Sequence, residues 1–100
     1  MSRKVVVSKN AEKKLNSLFD YLTENWSLKV KSHFVNKLDK NIKLIQKHPE
    51  SFPESVKEKG LHKCVITKQT TLYYRFDEKQ IKIVTVFDTR QHPKKLKKDL

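Results

Sequence analysis

The sequence predicts an α+β domain in which a helical hairpin packs on one face of a small, mostly antiparallel β-sheet. Residues 11–48 carry two helical apolar periodicities separated by a short turn, and residues 61–88 carry three β-branched and aromatic runs with short gaps. An apolar helix stripe and an apolar sheet face must each be buried from water, and packing the helices on the sheet buries both. The chain of 100 residues has the length of a single domain.

The N-terminal segment predicts a strand followed by the first helix. Residues 3–7 (RKVVV) have the composition of a short strand, and either Ser8 or Asn10 can cap the helix that follows. From residue 11 onward the apolar side chains fall at helical spacing, at Ala11, Leu15, Leu18, Phe19 and Leu22. This pattern predicts an amphipathic helix with one buried face.

A turn and a second helix come next. The stretch ENWS, residues 24–27, predicts a turn that is closed by Trp26, and Ser27 is available to cap the second helix. The apolar face of that helix contains Val30, Phe34, Val35, Leu38, Ile42 and Ile45. The helix should end before Pro49, because the residue that precedes a proline is disfavoured in the helical region.

The second half of the chain predicts a loop and an antiparallel meander. Residues 49–60 hold two of the three prolines and the single glycine, which is typical of a loop. The three strand-like runs that follow are residues 61–67, 70–77 and 80–88. In the middle run, alternation places Leu72, Tyr74 and Phe76 on one face and Tyr73, Arg75 and Asp77 on the other. The first face should meet the helices.

Charge is the strongest compositional signal. The formal net charge is +12, and the basic residues are spread through both halves of the chain. Such a field favours a polyanionic partner, either a nucleic acid or an acidic protein. A lysine-rich proteome offers the other explanation of the same composition. The charge therefore suggests a class of partner without identifying one.

Cysteine, glycine and hydropathy exclude several function classes. A lone Cys64 cannot form an internal disulfide, and no run of about 20 apolar residues predicts a membrane span. We therefore expect a cytoplasmic protein without membrane contact. With Gly60 as the only glycine, a glycine-rich phosphate loop is excluded. His62 and Cys64 point to one side of a strand but lack further ligands at finger spacing, so we expect no metal and no cofactor.

The order of elements and several motifs resemble the RelE/ParE superfamily of toxins from bacterial type II toxin-antitoxin modules. The resemblance covers residues 3–93 and rests on three features in combination. These are a helical hairpin with a YxxxxW turn, an apolar stripe that ends at a proline, and the run TTLYYRFDEKQIKIVTVFDTRQHP. It implies the element order β-α-α-β-β-β in a toxin domain over residues 1–93, followed by a basic tail over residues 94–100.

The resemblance implies growth inhibition, plasmid stabilisation and silencing by a cognate antitoxin. RelE-like members cleave ribosome-bound mRNA by attack of a 2′-hydroxyl on the adjacent phosphate, whereas ParE-like members inhibit DNA gyrase. Whether this chain is an enzyme depends on which group it joins. Family antitoxins wrap an acidic segment around the hairpin and the sheet. Here the antitoxin-binding residues would be Lys37, Lys40 and Lys47, with Arg90 at the rim.

The catalytic residues that the resemblance implies are Arg90 and His92. Arg90 matches the charge-stabilising arginine of nuclease members, and His92 would serve as acid or base. The residues implied for binding nucleic acid or another target are Lys63, Lys68, Arg75 and Tyr73. Each has a structural alternative. Arg90 can pair with Asp88, His92 can order a loop, the other cations can be solvated or paired, and Tyr73 can be packed.

Two departures from the nuclease pattern favour the ParE-like group. Thr70 stands where nuclease members carry an arginine in the middle strand, and no tyrosine follows Arg90. The tyrosine and tryptophan at the hairpin turn also resemble ParE-like members. Inhibition of DNA gyrase is therefore the first expectation and mRNA cleavage the second. A third is a basic RNA-binding domain without toxicity, which the absence of an RNP-like aromatic pattern disfavours.

Overall fold

A computed structural model describes residues 3–56 and 58–90. The helices are α1 (Lys9–Asn25) and α2 (Leu28–Lys47). The strands are β1 (Lys4–Val7), β2 (His62–Val65), β3 (Thr70–Phe76) and β4 (Gln80–Asp88). The predicted α+β class and the order β-α-α-β-β-β are both confirmed. No helix within the described ranges has both the length and the apolar character needed to cross a membrane.

Serine caps set the starts of both helices. The Ser8 hydroxyl accepts a hydrogen bond from the Ala11 amide at 3.0 Å and donates to the Val84 carbonyl at 2.7 Å. Ser8 rather than Asn10 is therefore the cap, and it also ties the start of α1 to β4. Ser27 caps α2 by accepting from the Val30 amide at 3.1 Å.

The segment between α2 and β2 is more ordered than the sequence predicts. Pro49–Ser51 form a 3-10 helix, in which the fixed φ of proline suits the first position. The Tyr74 hydroxyl donates to the Pro49 carbonyl at 2.6 Å, and both residues are buried. Further along, Glu54 forms an isolated antiparallel bridge with His62. These contacts with the strands are long-range, and local sequence patterns do not reveal them.

The four strands form one sheet in the order β1-β4-β3-β2. β4 pairs in parallel with β1 and antiparallel with β3, and β3 pairs antiparallel with β2. In the pairing of β3 with β4, Tyr73 lies opposite Thr85 and the next residue, Tyr74, lies opposite Ile83. Val84 therefore has no partner in β3 and is the extra residue of a β-bulge. β4 thus has a strand on both sides only over residues 81–83, and its C-terminal end, which carries Asp88, pairs with β3 alone.

The main core lies between the helical hairpin and one face of the sheet. The helices contribute Ala11, Leu18, Leu22, Phe34, Leu38 and Ile45. The sheet contributes Cys64, Ile66, Leu72, Tyr74, Ile81, Ile83 and Val86. On the other face a smaller cluster contains Leu61, Tyr73 and Phe87, with Val84 packed against it. The predicted alternation in β3 is confirmed, and the second face is also partly apolar.

Replacing Ser8 by Ala should destabilise the fold by about 1 to 2 kcal/mol, because α1 loses its cap and β4 loses a hydrogen bond from the helix start. Urea unfolding followed by circular dichroism measures the change. Ser32→Ala is the matched control, because Ser32 is exposed inside α2, where alanine has the higher helix propensity. Equal unfolding midpoints for Ser8→Ala and wild type would contradict the proposed role of Ser8.

Candidate functional site

Arg90 lies just past the end of β4, where the carboxylate of Asp88 holds it in place. The Arg90 Nε donates to Asp88 Oδ1 at 3.1 Å, and Nη2 donates to Asp88 Oδ2 at 2.9 Å. The Arg90 backbone amide donates to Oδ1 as well, at 2.9 Å. The Arg90 side chain is only 17% exposed and that of Asp88 only 3%. The guanidinium is therefore fixed by a two-point ion pair.

Asp88 also has a partner from the neighbouring strand. Thr70 lies directly across from Asp88 in the β3–β4 register, and its hydroxyl donates to Asp88 Oδ2. Both residues are buried. Burial alone would raise the pKa of Asp88, but the hydrogen bonds from Arg90 and Thr70 outweigh it and hold the pKa below its ordinary value. Asp88 is therefore a carboxylate at neutral pH.

Trp26 covers the other side of Arg90. The Arg90 Cζ lies 5.8 Å from the centre of the Trp26 ring, within the range of a cation–π interaction. Trp26 ends α1, where its backbone amide donates to the Leu22 carbonyl at 3.0 Å. The ring nevertheless remains 56% exposed. The turn of the helical hairpin and the end of β4 meet at this contact.

A cleft of ≈ 270 Å³ opens beside this contact, and we call it the Arg90 cleft. Its lining residues are Lys29, Val30, His33, Phe34, Lys37, Thr67 and Arg90. Lys29, His33 and Lys37 are four residues apart along α2, so they form one row on the helix. No lining residue is acidic. The Arg90 cleft is therefore suited to an anion that also presents an apolar group.

The predicted antitoxin-binding lysines divide between two sites on α2. Lys37 lines the Arg90 cleft, whereas Lys40 and Lys47 line a second cleft of ≈ 320 Å³ together with Lys43 and Leu44. In that second cleft, Lys43 pairs with Asp39 at 3.0 Å. The three predicted residues thus belong to one basic side of α2 but do not form a single pocket.

The residues predicted to bind nucleic acid or another target are mostly on the sheet face that points away from the helical hairpin. Lys63 pairs with Tyr73 in the β2–β3 register, and Tyr73 packs with Leu61 and Phe87. Tyr73 is buried, and this burial raises the pKa of its hydroxyl. Its ring is thus largely covered by neighbouring apolar side chains, as in the structural alternative that the sequence left open. A binding role for Tyr73 stays a prediction.

Arg75 and Lys68 are not among the residues that line the Arg90 cleft. The Arg75 guanidinium pairs with Glu58 at 2.6 Å and donates to the Lys59 carbonyl at 3.2 Å, so it holds the loop before β2. Lys68 is exposed in the turn between β2 and β3, next to Thr67 of the Arg90 cleft. Of the sequence-predicted residues, the structure brings only Arg90 and Lys37 together in one cleft. His92 and the tail over residues 94–100 lie outside the described residues.

His62 and Cys64 do face one side of the sheet, but their contacts are structural. The His62 ring stacks on Tyr74 with 5.5 Å between ring centres, and its Nδ1 hydrogen-bonds the Phe52 carbonyl at 2.8 Å. Burial raises the pKa of the Cys64 thiol to about 11. Within residues 3–56 and 58–90, no group of three or more His, Cys, Asp or Glu side chains is arranged to hold a metal ion.

Two residues of this site, Lys29 and His33, were not predicted from the sequence. Two contacts were not predicted either, the one between Thr70 and Asp88 and the one between Trp26 and Arg90. The row of Lys29, His33 and Lys37 has a detectable signal, because cationic residues at intervals of four share one helix face. The Trp26 contact has no comparable signal. It joins residues 64 positions apart in the chain, and only the packing of the hairpin on the sheet brings them together.

Replacing Asp88 by Asn should lower the free energy of unfolding by about 3 kcal/mol at neutral pH, because Arg90 loses a buried ionic partner. The folded-state pKa of Asp88 is lowered, so its stabilisation is present at neutral pH and is lost as the pH falls below about 4. The difference between wild type and Asp88→Asn should therefore shrink at about pH 3. Urea unfolding at both pH values measures it.

Asp39→Asn is the control for the Asp88 variant. Asp39 also pairs with a cation, Lys43, but both side chains are more than half exposed, so its loss should cost about 0.5 kcal/mol or less. A difference between wild type and Asp88→Asn that grows on acidification would contradict the assignment of a charged Asp88.

Comparisons with known proteins agree with the fold and identify the family. The sequence profile of the family described as ParE toxin of type II toxin-antitoxin system, parDE, matches residues 5–93. No curated protein sequence matches the chain. Fourteen chains of solved structures match. Three of these solved structures are each less than 20% identical to this chain, so their likeness shows a shared fold.

A chain from the chromosomal ParDE system of P. aeruginosa is 12% identical, has a TM-score of 0.72, and is matched over 87% of this chain and 96% of that one. The YoeB dimer from Staphylococcus aureus has 19% identity, a TM-score of 0.63 and coverages of 87% and 97%. The E. coli DinJ-YafQ toxin-antitoxin complex has 13% identity, a TM-score of 0.61 and coverages of 90% and 96%. With the family profile matched over residues 5–93 and the hairpin-on-sheet fold in place, the chain belongs to the ParE toxin family of type II toxin-antitoxin systems.

Proposed function

We propose that this chain inhibits growth by binding DNA gyrase, rather than by cleaving RNA. Membership of the ParE toxin family supports the function of a toxin. The ParE-like toxins that the sequence resembles inhibit DNA gyrase. The observation that favours gyrase binding over RNA cleavage is the buried ion pair of Arg90. Its guanidinium donates two hydrogen bonds to the buried carboxylate of Asp88 and is only 17% exposed.

This ion pair suits a binding group better than a catalytic cation. Cleavage by 2′-hydroxyl attack builds up negative charge on a pentacoordinate phosphorus, and cations near that charge lower the barrier. Because Asp88 compensates the Arg90 charge at about 3 Å, the pair offers such a phosphate little net attraction. A protein interface gains instead from an arginine whose position is fixed before binding, since little conformational entropy is then lost.

Ribosome-dependent mRNA cleavage is the second candidate function. One observation favours it, namely that His33 lines the same cleft as Arg90, so an imidazole and a guanidinium share one space. In this case Arg90 and His92 would keep their predicted catalytic roles. Lys63, Lys68, Arg75 and Tyr73 would contact the RNA across the other face of the sheet. Thr70 weighs against this function, because it occupies the nuclease arginine position and is buried beneath Asp88.

We propose a cognate antitoxin as the partner that silences the toxin. The basic side of α2 suits an acidic antitoxin segment, because Lys37, Lys40 and Lys47 lie along about three turns of one helix. All three side chains are exposed. Lys37 also lines the Arg90 cleft, so a bound segment would reach the edge of the proposed target-binding site. Both candidate targets are inside the cell, and we accordingly place the protein in the cytoplasm.

The test expresses wild type and Arg90→Ala conditionally and scores growth, gyrase supercoiling and cleavage of ribosome-bound mRNA in parallel. Wild type should stop growth and inhibit supercoiling while mRNA stays intact. Arg90→Ala should inhibit supercoiling about 30-fold less well, as expected for loss of an interface hot spot. Cleavage of mRNA by wild type that disappears in Arg90→Ala would overturn the proposal in favour of the nuclease function.

Two further variants separate a binding defect from a folding defect. Arg90→Ala leaves Asp88 as an unpaired buried carboxylate, whereas the double variant Arg90→Ala with Asp88→Asn removes both charges and should fold more stably. Arg75→Ala is the matched arginine control, because Arg75 pairs with Glu58 away from the Arg90 cleft. If the double variant folds and inhibits gyrase like wild type, Arg90 is not part of the binding surface.

A further inference from the structure

Two large apolar side chains are exposed where the helical hairpin turns. Trp26 is 56% exposed and Leu28 is 69% exposed, and they are separated by only Ser27. Trp26 is also the only tryptophan in the chain. Apolar surface of this kind costs solubility, and aromatic residues exposed beside cations are typical of protein interfaces. The turn therefore has the composition of a contact surface.

Two lysines near this apolar pair, Lys29 and Lys37, form no ion pair within the described residues. Lys29 follows Leu28 directly and lines the Arg90 cleft together with His33, Lys37 and Arg90. Within the described residues, the carboxylate that pairs with Arg90 is that of Asp88, which is buried. An approaching partner would therefore meet positive charge around an apolar centre, and an acidic surface would complement it.

The position of Arg90 is held from two sides. Asp88 receives hydrogen bonds from Arg90 Nε and Nη2, and the Trp26 ring lies 5.8 Å from Arg90 Cζ. The guanidinium is thus kept against the exposed tryptophan without any partner present. Tryptophan and arginine are the residues most enriched among binding hot spots, and a preordered pair loses little entropy on association.

We infer that Trp26, Leu28, Lys29 and Arg90, which we call the hairpin tip, dock an acidic protein surface that has an apolar pocket for Trp26, and that this surface belongs to the toxin's target. The inference rests on the proposed function, because it assumes that the toxin acts by binding a protein. It adds to the proposed function the residues that contact the target and the chemistry of the target surface that they contact.

The composition of the hairpin tip favours protein over nucleic acid. A phosphate backbone binds through charge, and compensation of Arg90 by Asp88 leaves Lys29 as the net cation of the hairpin tip, whereas a protein surface can also cover the exposed Trp26 and Leu28. A base could stack on Trp26, but Arg90 lies over that ring and competes for it. Leu28 and the apolar residues Val30 and Phe34 of the Arg90 cleft have no role in holding a phosphate. They do suit an apolar side chain of a protein.

Two variants test the hairpin tip, each with a matched control. Lys29→Glu reverses a charge in the first turn of α2, where a carboxylate is compatible with the helix dipole. Lys9→Glu makes the same change in the first turn of α1, away from the hairpin tip. Trp26→Ala removes the exposed ring, and Val56→Ala removes an exposed apolar side chain from the loop before β2, outside both clefts of α2. None of the four should disturb the core.

The first measurement uses defined probes with the purified full-length chain. The probes are a short synthetic helical peptide of glutamates with one leucine in each turn, and a single-stranded oligonucleotide of equal charge. Emission from Trp26 reports binding, and calorimetry replaces it for Trp26→Ala. We expect the peptide to bind more tightly than the oligonucleotide, with about tenfold weaker binding in Lys29→Glu and Trp26→Ala and no change in the controls.

Three outcomes of the probe measurement would overturn the inference. They are no binding of the peptide, peptide binding that Lys29→Glu and Trp26→Ala leave unchanged, and displacement of the peptide by the oligonucleotide. The last would assign the hairpin tip to nucleic acid.

The second measurement is inhibition of gyrase supercoiling by the same five proteins. Loss of inhibition in Lys29→Glu and Trp26→Ala, with both controls at the wild-type level, supports the target as the occupant. Full inhibition by both hairpin-tip variants overturns it. If wild type itself does not inhibit gyrase, the proposed function fails. In that case the probe measurement alone decides whether the hairpin tip docks an acidic protein surface.

Discussion

The buried carboxylate of Asp88 is the constraint on which the candidate site depends. A charge in this position is costly unless it is paired and hydrogen-bonded, and the fold supplies four donors for it, one from Thr70 and three from Arg90. Because Thr70 starts β3 and Asp88 ends β4, the pairing also fastens two adjacent strands at the same end of the sheet. The direction of the Arg90 side chain, and hence the shape of the cleft beside it, follows from satisfying this one group.

Sheet order extends that constraint to the helical hairpin. β4 lies between β1 and β3, and the Ser8 hydroxyl links the start of α1 to the Val84 carbonyl at the bulge of β4. The start of α1 is thus fixed at the middle of β4, and the turn of the hairpin meets Arg90 just past the end of the strand. The contact between Trp26 and Arg90 is the result, with an exposed tryptophan held against a fixed guanidinium. A site of this kind is rigid on the toxin's side, so specificity must depend on the shape and charge of the partner.

The high net charge is distributed unevenly between surfaces. On α2 five lysines line the Arg90 cleft or the second cleft, whereas on the other sheet face Tyr73 packs in an apolar cluster and Arg75 is tied to Glu58. The proposed antitoxin and target surfaces therefore adjoin on one side of the molecule, and Lys37, which lines the Arg90 cleft, lies at their boundary. Binding of an acidic antitoxin segment there would place negative charge beside Arg90 and oppose an acidic target, which offers a simple physical route to silencing.

The elements and their order could be predicted from the amino-acid pattern alone, because the signals involved are local. Helical and alternating apolar periods, the serine caps and Pro49 each act within a few residues, and the observed helices and strands follow them. Arg90 could be selected as a site residue from its motif, and pairing with Asp88 could be foreseen as an alternative. Packing of the folded chain establishes that this pairing prevails, that Tyr73 is covered, and that Trp26 contacts Arg90. These outcomes depend on burial and on contacts between distant segments, which no local pattern encodes.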